Sequence, residues 1–192
     1  FATAPELRKR LASGESADIV IAPPDLLDEL AKSERAAAER VMIGRIGVGV
    51  MVRSGAALPS IATVENLKQA LLNSEAIVFN QASTGLYIDS LLKRLGIAAQ
   101  TEAKITRYAD FAAVRDHIGN GHGNPIGFGA TTVIVENADK GVKFAGPLPA
   151  EIQNYTTYAA ALTASGGAAA RALLRYLGTP TAKALFTAAG IE

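Results

Sequence analysis

Two hydroxyl side chains, Ser83 and Thr84, stand directly before Gly85 where a short apolar run ends. The run Ala76–Phe79 has the length and composition of a buried strand, and the residues after Gly85 have the apolar spacing of a helix. The first N–H groups of a helix have no partner inside it, and the helix dipole places partial positive charge there. Hydroxyls beside such N–H groups can donate to an oxyanion, so this order of residues predicts an anion site.

The same order of residues occurs twice more. Thr3 and Ala4 stand at the start of an amphipathic helix, and Asp110 and Phe111 follow the strand-like run Lys104–Tyr108. Three helix starts that meet at one small ligand favour a binding protein over an enzyme. A second interpretation stays open for the hydroxyls, because Ser and Thr are common N-cap residues and a cap stabilises a helix by about 1 kcal/mol.

Ionisable side chains give a weaker indication of chemistry. Tyr108, Asp110 or His117 could act as a base that moves a proton beside a substrate carboxylate, and Arg107 and Arg115 could neutralise an organic acid. Each of these residue types is more often solvated at the surface. We therefore assign no catalytic residue. With two histidines and no cysteine, the sequence predicts no metal site and no cofactor.

The composition is that of an ordinary globular protein. Of 192 residues, 49% are hydrophobic and 19% are charged, and the formal net charge is +1. The basic run Arg8–Arg10 is too short to form a nucleic-acid interface, so no nucleic-acid partner is expected. The apolar run Val41–Val52 is interrupted by Arg45 and is too short to cross a bilayer. The absence of cysteine fits a periplasmic protein that folds without oxidation.

Strand and helix patterns alternate along the chain. Strands are predicted at residues 17–22, 40–52, 76–79, 104–108, 125–128, 142–145 and 152–162. Helices are predicted at residues 5–12, 25–32, from 61 onwards, and at 85–95, 110–118, 167–177 and 180–189, with a short helix or loop at 131–137. This alternation predicts an α/β fold with parallel sheets covered by helices on both faces.

Two predicted strands, at residues 40–52 and 152–162, are longer than the others. They bracket about a hundred residues, which is the size of a domain. The pattern predicts two lobes, with residues 1–48 and 160–192 in lobe 1 and residues 49–159 in lobe 2. We expect a monomer that holds its ligand in a cleft between the lobes.

Several weak motifs occur in the order and spacing of one known family. The chain resembles the periplasmic molybdate-binding proteins of ABC importers in the segments Phe1–Leu7, Leu11–Ile21, Ile46–Val50, Ser83–Tyr87, Gly146–Pro149 and Leu174–Ile191. The resemblance covers essentially the whole chain. It implies the type II periplasmic-binding-protein fold, in which two α/β lobes with two crossing strands hold an oxyanion by hydroxyls and backbone N–H groups.

The resemblance also implies where the ligand contacts lie: Thr3, Ala4, Ser83, Thr84, Gly85, Asp110, Phe111, Ala130 and Thr131. The tyrosine that covers the oxyanion in the family falls near Ala130, where this chain has no tyrosine, so molybdate is expected to bind more weakly than in close relatives or not at all. The family has one further strand and helix before the segment that matches Phe1. We therefore expect the sequence given to lack its first strand and helix.

The sequence thus predicts a periplasmic solute-binding protein that captures a small, molybdate-like oxyanion for an ABC permease. Uncharged donors suit this task because they avoid the desolvation cost of buried counter-charges. Two alternatives remain on the same fold. One is a binding protein for organic polycarboxylic acids, and the other is an isomerase that shifts a proton in such acids.

Overall fold

In the computed structural model, which describes residues 4–192, strands and helices alternate along the chain. The elements are α1 (Ala4–Ala12), β1 (Ile19–Ala22), α2 (Pro24–Lys32), β2 (Ala36–Arg53), α3 (Val64–Asn73), β3 (Ile77–Asn80), α4 (Ser83–Arg94), α5 (Ala98–Thr101), β4 (Ile105–Tyr108), α6 (Phe111–Asn120), β5 (Ile126–Ala130), α7 (Thr131–Glu136), β6 (Val142–Pro147), β7 (Tyr155–Thr163), α8 (Ala168–Leu177) and α9 (Pro180–Ala188). Short 3₁₀ turns occupy Glu102–Lys104 and Ala150–Ile152.

The chain divides into two compact units. Unit 1 comprises the chain up to Ile46 together with Thr156–Glu192, and unit 2 comprises Gly47–Tyr155. The chain therefore changes unit twice, once within β2 and once at the start of β7. None of the helices within residues 4–192 combines the length and the apolar character that crossing a membrane requires.

Unit 1 has strand order β1, β7, β2, and β1 runs antiparallel to β7 with Ile19 opposite Leu162. Helix α2 buries its three leucines against one side of this sheet, and Leu7 and Leu11 of α1 pack beside them. Helix α8 covers the other side with Ala170 and Leu174. The amphipathic spacing of α2 and α8 is what allows one face of each helix to be buried in this way.

Unit 2 has strand order β6, β2, β5, β3, β4. Strands β3, β4 and β5 are parallel, as the alternation of strands and helices predicted. The wider prediction of parallel sheets throughout is wrong, because β2 runs antiparallel to both β5 and β6, and β1 is antiparallel to β7. A helical crossover makes two consecutive strands parallel, but none of these three antiparallel pairs consists of consecutive strands.

The sheet of unit 2 is covered on both faces. Ile77 and Phe79 of β3 pack with α3 and α4 in one cluster. Val78, which points to the opposite side of the strand, packs with α6 and α7 in another. All three residues are fully buried. Residues at the end of β3 are therefore held in place from both sides.

Several predicted boundaries shift in the structure. Strand β2 begins at Ala36 rather than at residue 40. Strand β7 begins at Tyr155 rather than at residue 152, because Ala150–Ile152 forms a 3₁₀ turn after Pro149. Helix α4 begins at Ser83 rather than at residue 85. The one-turn helix α5 was not predicted, since four residues are too few to show helical periodicity.

Candidate anion-binding edge of unit 2

Three helices of unit 2 begin at one edge of its sheet. The parallel strands β3, β4 and β5 end at Asn80, Tyr108 and Ala130, and Asn80 lies opposite Tyr108 in the register. Because carboxyl ends of parallel strands share one edge, the helices that follow them also start there. The structure thus brings together the predicted site residues of unit 2, which are Ser83, Thr84, Gly85, Asp110, Phe111, Ala130 and Thr131.

The arrangement of these helices creates a switch point in the sheet. Helix α4, which follows β3, packs on one face, whereas α7, which follows the neighbouring strand β5, packs on the other. In open α/β sheets, a ligand usually binds in the crevice beyond the carboxyl ends of two neighbouring strands whose following helices pack on opposite faces of the sheet. Ser83 at the start of α4 and Ala130 at the end of β5 therefore flank the position at which a ligand is expected.

Helix α4 begins without a side-chain cap. Its N-cap residue is Ala82, which carries no acceptor, and Ser83 and Thr84 are the first two residues inside the helix. Three other helices do have such a cap, because Thr63, Asp110 and Thr179 cap α3, α6 and α9 through side-chain oxygens, whereas α2, α5, α7 and α8 also begin without one. The interpretation of the two hydroxyls as N-caps is therefore wrong, and the first N–H groups of α4 are left to another acceptor.

Gly85 brings the start of α4 against the end of β3. It is buried, and a Cβ at this position would overlap the carbonyl oxygen of Asn80 and lie 3.0 Å from Cδ2 of Phe79. The Asn80 side chain also holds the loop, because its Oδ1 accepts the N–H of Ala82 at 3.1 Å. Asn80 was not predicted as a site residue, although an asparagine after a strand is a known turn signal.

Helix α6 begins differently from α4. The carboxylate of Asp110 accepts the N–H of Ala113 at 2.9 Å and caps the helix. Phe111 lies over Gly129 of β5, where a Cβ would be 2.5 Å from Cε2 of the ring. Because the Asp110 carboxylate already interacts with the positive end of α6, the start of α6 is a weaker anion site than the start of α4.

The third helix start is short. Ala130 is the N-cap of α7, which spans six residues, and Ala130 and Thr131 are half-buried. The methyl group of Thr131 would lie 3.2 Å from a Cβ on Gly49 of β2, so β2 passes close beneath this turn. Gly49 and Gly129 thus allow close packing below the edge, a role that no local sequence pattern predicted.

The ionisable candidates are engaged with partners in unit 2. Arg107 forms an ion pair with Asp89 at 2.7 Å, and this hydrogen bond raises the pKa of Arg107. The guanidinium of Arg115 donates to Asp116, its neighbour in sequence. The hydroxyl of Tyr108 lies 2.9 Å from Nδ1 of His117. Neither arginine is therefore a free cation for a carboxylate, and the two base candidates Tyr108 and His117 bond each other.

The two remaining predicted site residues lie in the other part of the chain. Thr3 falls outside the residues that the structure describes. Ala4 is the first residue of α1 and packs, half-buried, against the cluster formed by β1 and α2 in unit 1.

Two further features of the described residues bear on ligand chemistry. A cavity of about 500 Å³ lies at the opposite edge of unit 2, between the segment 56–60, α3 and the start of β5. It is remote from the helix starts described above, because Ile126 and Ala130 are the two ends of β5. Within residues 4–192 no three His, Asp or Glu side chains are grouped closely enough to hold a metal ion.

The fold of this chain is similar to that of solved periplasmic binding proteins. The periplasmic molybdate-binding protein of Azotobacter vinelandii matches with a TM-score of 0.74 at 19% identity, over 99% of this chain and 84% of that one. The substrate-binding domain of a putative molybdenum ABC transporter from Clostridium difficile matches with a TM-score of 0.72 at 15% identity, over 97% and 81%. At these identities the likeness shows the fold.

A third solved structure, the tungstate-binding protein TupA from Desulfovibrio alaskensis G20, matches with a TM-score of 0.64 at 11% identity, over 96% of this chain and 78% of that one. No curated protein sequence matches the chain. The family model of bacterial extracellular solute-binding proteins matches residues 1–192, and the chain belongs to that family. The predicted fold class and the resemblance to molybdate-binding solute-binding proteins are thereby confirmed, and the protein acts outside the cytoplasm.

Proposed function

We propose that this solute-binding protein captures a small tetrahedral oxyanion, and that the start of α4 supplies the main donors. The observation that carries the proposal is the N-cap of α4. An alanine stands at position 82, so the first N–H groups of a 12-residue helix have no side-chain acceptor, and the hydroxyls of Ser83 and Thr84 stand beside them. Such a start combines free donors with the positive end of the helix dipole.

The chemistry of these donors favours an oxyanion over an organic acid. A planar carboxylate is best held by a free arginine in bidentate geometry. Near this edge Arg107 is paired with Asp89, and the Asp110 carboxylate caps its own helix. Neutral N–H and O–H donors hold a compact anion without a buried counter-charge. Solved proteins of the same fold are described as binding molybdate and tungstate, which supports this choice.

The proposal extends to the physiological setting. Members of this family serve as extracellular receptors for solutes, and one structural neighbour is the substrate-binding domain of a putative molybdenum ABC transporter. We infer that this protein works in the periplasm and delivers its ligand to an ABC permease. The resemblance places a covering tyrosine near Ala130, where this chain has none, so we expect molybdate to bind more weakly than in close relatives or not at all.

The test is calorimetric titration with molybdate, tungstate, sulfate and phosphate, with a tricarboxylate as the organic-acid arm. An oxyanion that binds should also raise the melting temperature by mass action. The Ser83→Ala/Thr84→Ala double variant should bind the same oxyanion at least about ten-fold more weakly, which corresponds to about 1.4 kcal/mol. The matched control is Ser90→Ala/Thr187→Ala, which removes two other hydroxyls. Unchanged affinity in the Ser83/Thr84 variant, or binding of the tricarboxylate alone, would refute the proposal.

A further inference from the structure

Two glycines lie directly opposite each other where β2 and β5 pair. Gly49 is the register partner of Gly129, and directly opposite residues of an antiparallel pair point to the same face of the sheet. A Cβ on Gly129 would lie 3.3 Å from Cγ1 of Ile134, and a Cβ on Gly49 would lie 3.1 Å from Cδ1 of the same side chain. Both glycines therefore face the side of the sheet that α6 and α7 cover.

The ring of Phe111 fills the space above Gly129. A Cβ on this glycine would lie 2.5 Å from Cε2 and 2.9 Å from Cδ2 of the ring, so the ring packs directly on the backbone of β5. Gly129 immediately precedes Ala130, the last residue of β5, and Phe111 is the first residue of α6. The half-buried ring therefore lies at the carboxyl edge of the sheet, beside one of the two residues that flank the expected ligand position.

The two sides of this edge differ in chemistry. On the α4 side, the first N–H groups of the helix have no side-chain acceptor, and the hydroxyls of Ser83 and Thr84 stand beside them. On the α6 side, the exposed carboxylate of Asp110 caps the helix, and the next side chain is the ring of Phe111. An anion at this edge thus meets neutral donors on one side, and an apolar surface with a negative charge on the other.

This asymmetry suits an anion that has a single charge and an apolar substituent. An oxygen of sulfate that faces the ring would lose its hydration without gaining a donor, and the second charge of sulfate increases the repulsion by Asp110. In an organic sulfonate a carbon atom replaces one of these oxygens. The remaining oxygens face the donors of α4 while the substituent packs on the ring, and the group has no proton that would require an acceptor.

We propose that Phe111 is a specificity-determining residue of this site, and that the protein selects a small alkanesulfonate over bare tetrahedral oxyanions. The ring packs against the apolar substituent, and Gly129 makes room for the ring. This inference rests on the proposed function, because it requires the start of α4 to bind the oxygens. It adds which kind of oxyanion the site prefers.

The test uses methanesulfonate and sulfate, which differ by a methyl group in place of one oxygen. Calorimetric titration of the parent protein should show at least about five-fold tighter binding of methanesulfonate, because methyl burial and the lower charge both favour it. Phe111→Ala should reduce this ratio of affinities at least about three-fold, since the methyl group then lacks its apolar contact. The matched control is Phe186→Ala, at a half-buried phenylalanine of α9 in unit 1, which should leave the ratio unchanged.

A second measurement uses the parent protein and therefore does not depend on the folding of Phe111→Ala. Nuclear Overhauser effects should connect the methyl protons of methanesulfonate with the ring protons of Phe111. Sulfate binding as tight as that of methanesulfonate, an unchanged ratio in folded Phe111→Ala, or absence of these effects would overturn the inference. The proposed function would still stand in those cases if an oxyanion binds and Ser83→Ala/Thr84→Ala weakens its binding. Failure of every tested anion to bind would refute both.

Discussion

The carbonyl oxygen of Asn80 occupies the space that a side chain at position 85 would need. Gly85 therefore allows α4 to begin in contact with the end of β3. The first residue of α4, Ser83, follows the fully buried Phe79 by only four positions. The position of the proposed donors depends on this contact, because Ser83 and Thr84 directly precede Gly85 in the same helical turn.

Replacing Gly85 by alanine should displace the start of α4. Overpacking of this kind costs about 1–3 kcal/mol of unfolding free energy, and overlap with backbone leaves little room to relax. Urea denaturation should show this loss, and calorimetry should show weaker oxyanion binding in the same variant. Parent-like stability together with parent-like affinity would show that α4 does not depend on this close approach.

An aspartate at position 82 should have opposite effects on stability and on binding. Ala82 has the extended backbone of an N-cap but no acceptor, so Ala82→Asp should stabilise the protein by about 0.5–2 kcal/mol through a new cap and a favourable dipole interaction. The added charge should abolish oxyanion binding, because it takes up the free N–H groups and repels the ligand. Thermal unfolding and calorimetry measure the two effects. A variant that is more stable and still binds fully would place the ligand elsewhere.

Asp110 can be tested by removing its charge while keeping its cap. Asp110→Asn retains an acceptor for the N–H of Ala113, so unfolding free energy should change by less than about 0.5 kcal/mol, given the similar capping strength of the two residues. Oxyanion affinity should rise, since a nearby negative charge is lost. Weaker binding by this variant would instead give the Asp110 carboxylate a direct part in holding the ligand.

Gly47 and Gln153 should be energetically coupled. Gly47→Ala places a Cβ 3.0 Å from Nε2 of Gln153, so it should destabilise the parent protein but cost less in the Gln153→Ala background, where the obstructing amide is absent. The double-mutant cycle, measured by urea denaturation, should give a coupling free energy of at least about 0.5 kcal/mol. Additive effects would show that the alanine is accommodated without disturbing the amide.

Tyr158 of β7 should make stability depend on alkaline pH. Desolvation by burial raises the pKa of its phenol, so the folded state retains the proton more strongly than the unfolded chain does. Its contribution is complete below the unfolded pKa of about 10 and is lost as the pH rises through the folded value. The unfolding free energy of Tyr158→Phe should therefore fall less steeply above that pH than that of the parent. Tyr176→Phe, at an exposed tyrosine, should follow the parent.

The sequence by itself determined the local elements and the position of the proposed anion loop. Threonine is a common N-cap residue, and Thr63, near the start of the helix predicted from residue 61 onwards, caps α3 by accepting the N–H of Asn66. The order of strand, hydroxyls, glycine and helix around Ser83 predicted the position of the loop between β3 and α4 to within two residues. These features follow from backbone conformation and from side chains a few residues apart, which sequence patterns record directly.

Tertiary structure decided which helix starts are free and where the crossing strand is fixed. Ser83 resembles a cap in sequence, yet close packing at Gly85 puts Ala82 at the N-cap position and Ser83 inside the helix. Gln153 bonds Val48 across 105 positions of sequence, and the pairing of Arg45 with Glu192 spans still more of the chain. Such contacts depend on how the folded elements meet in space, and no local pattern of residues encodes that meeting.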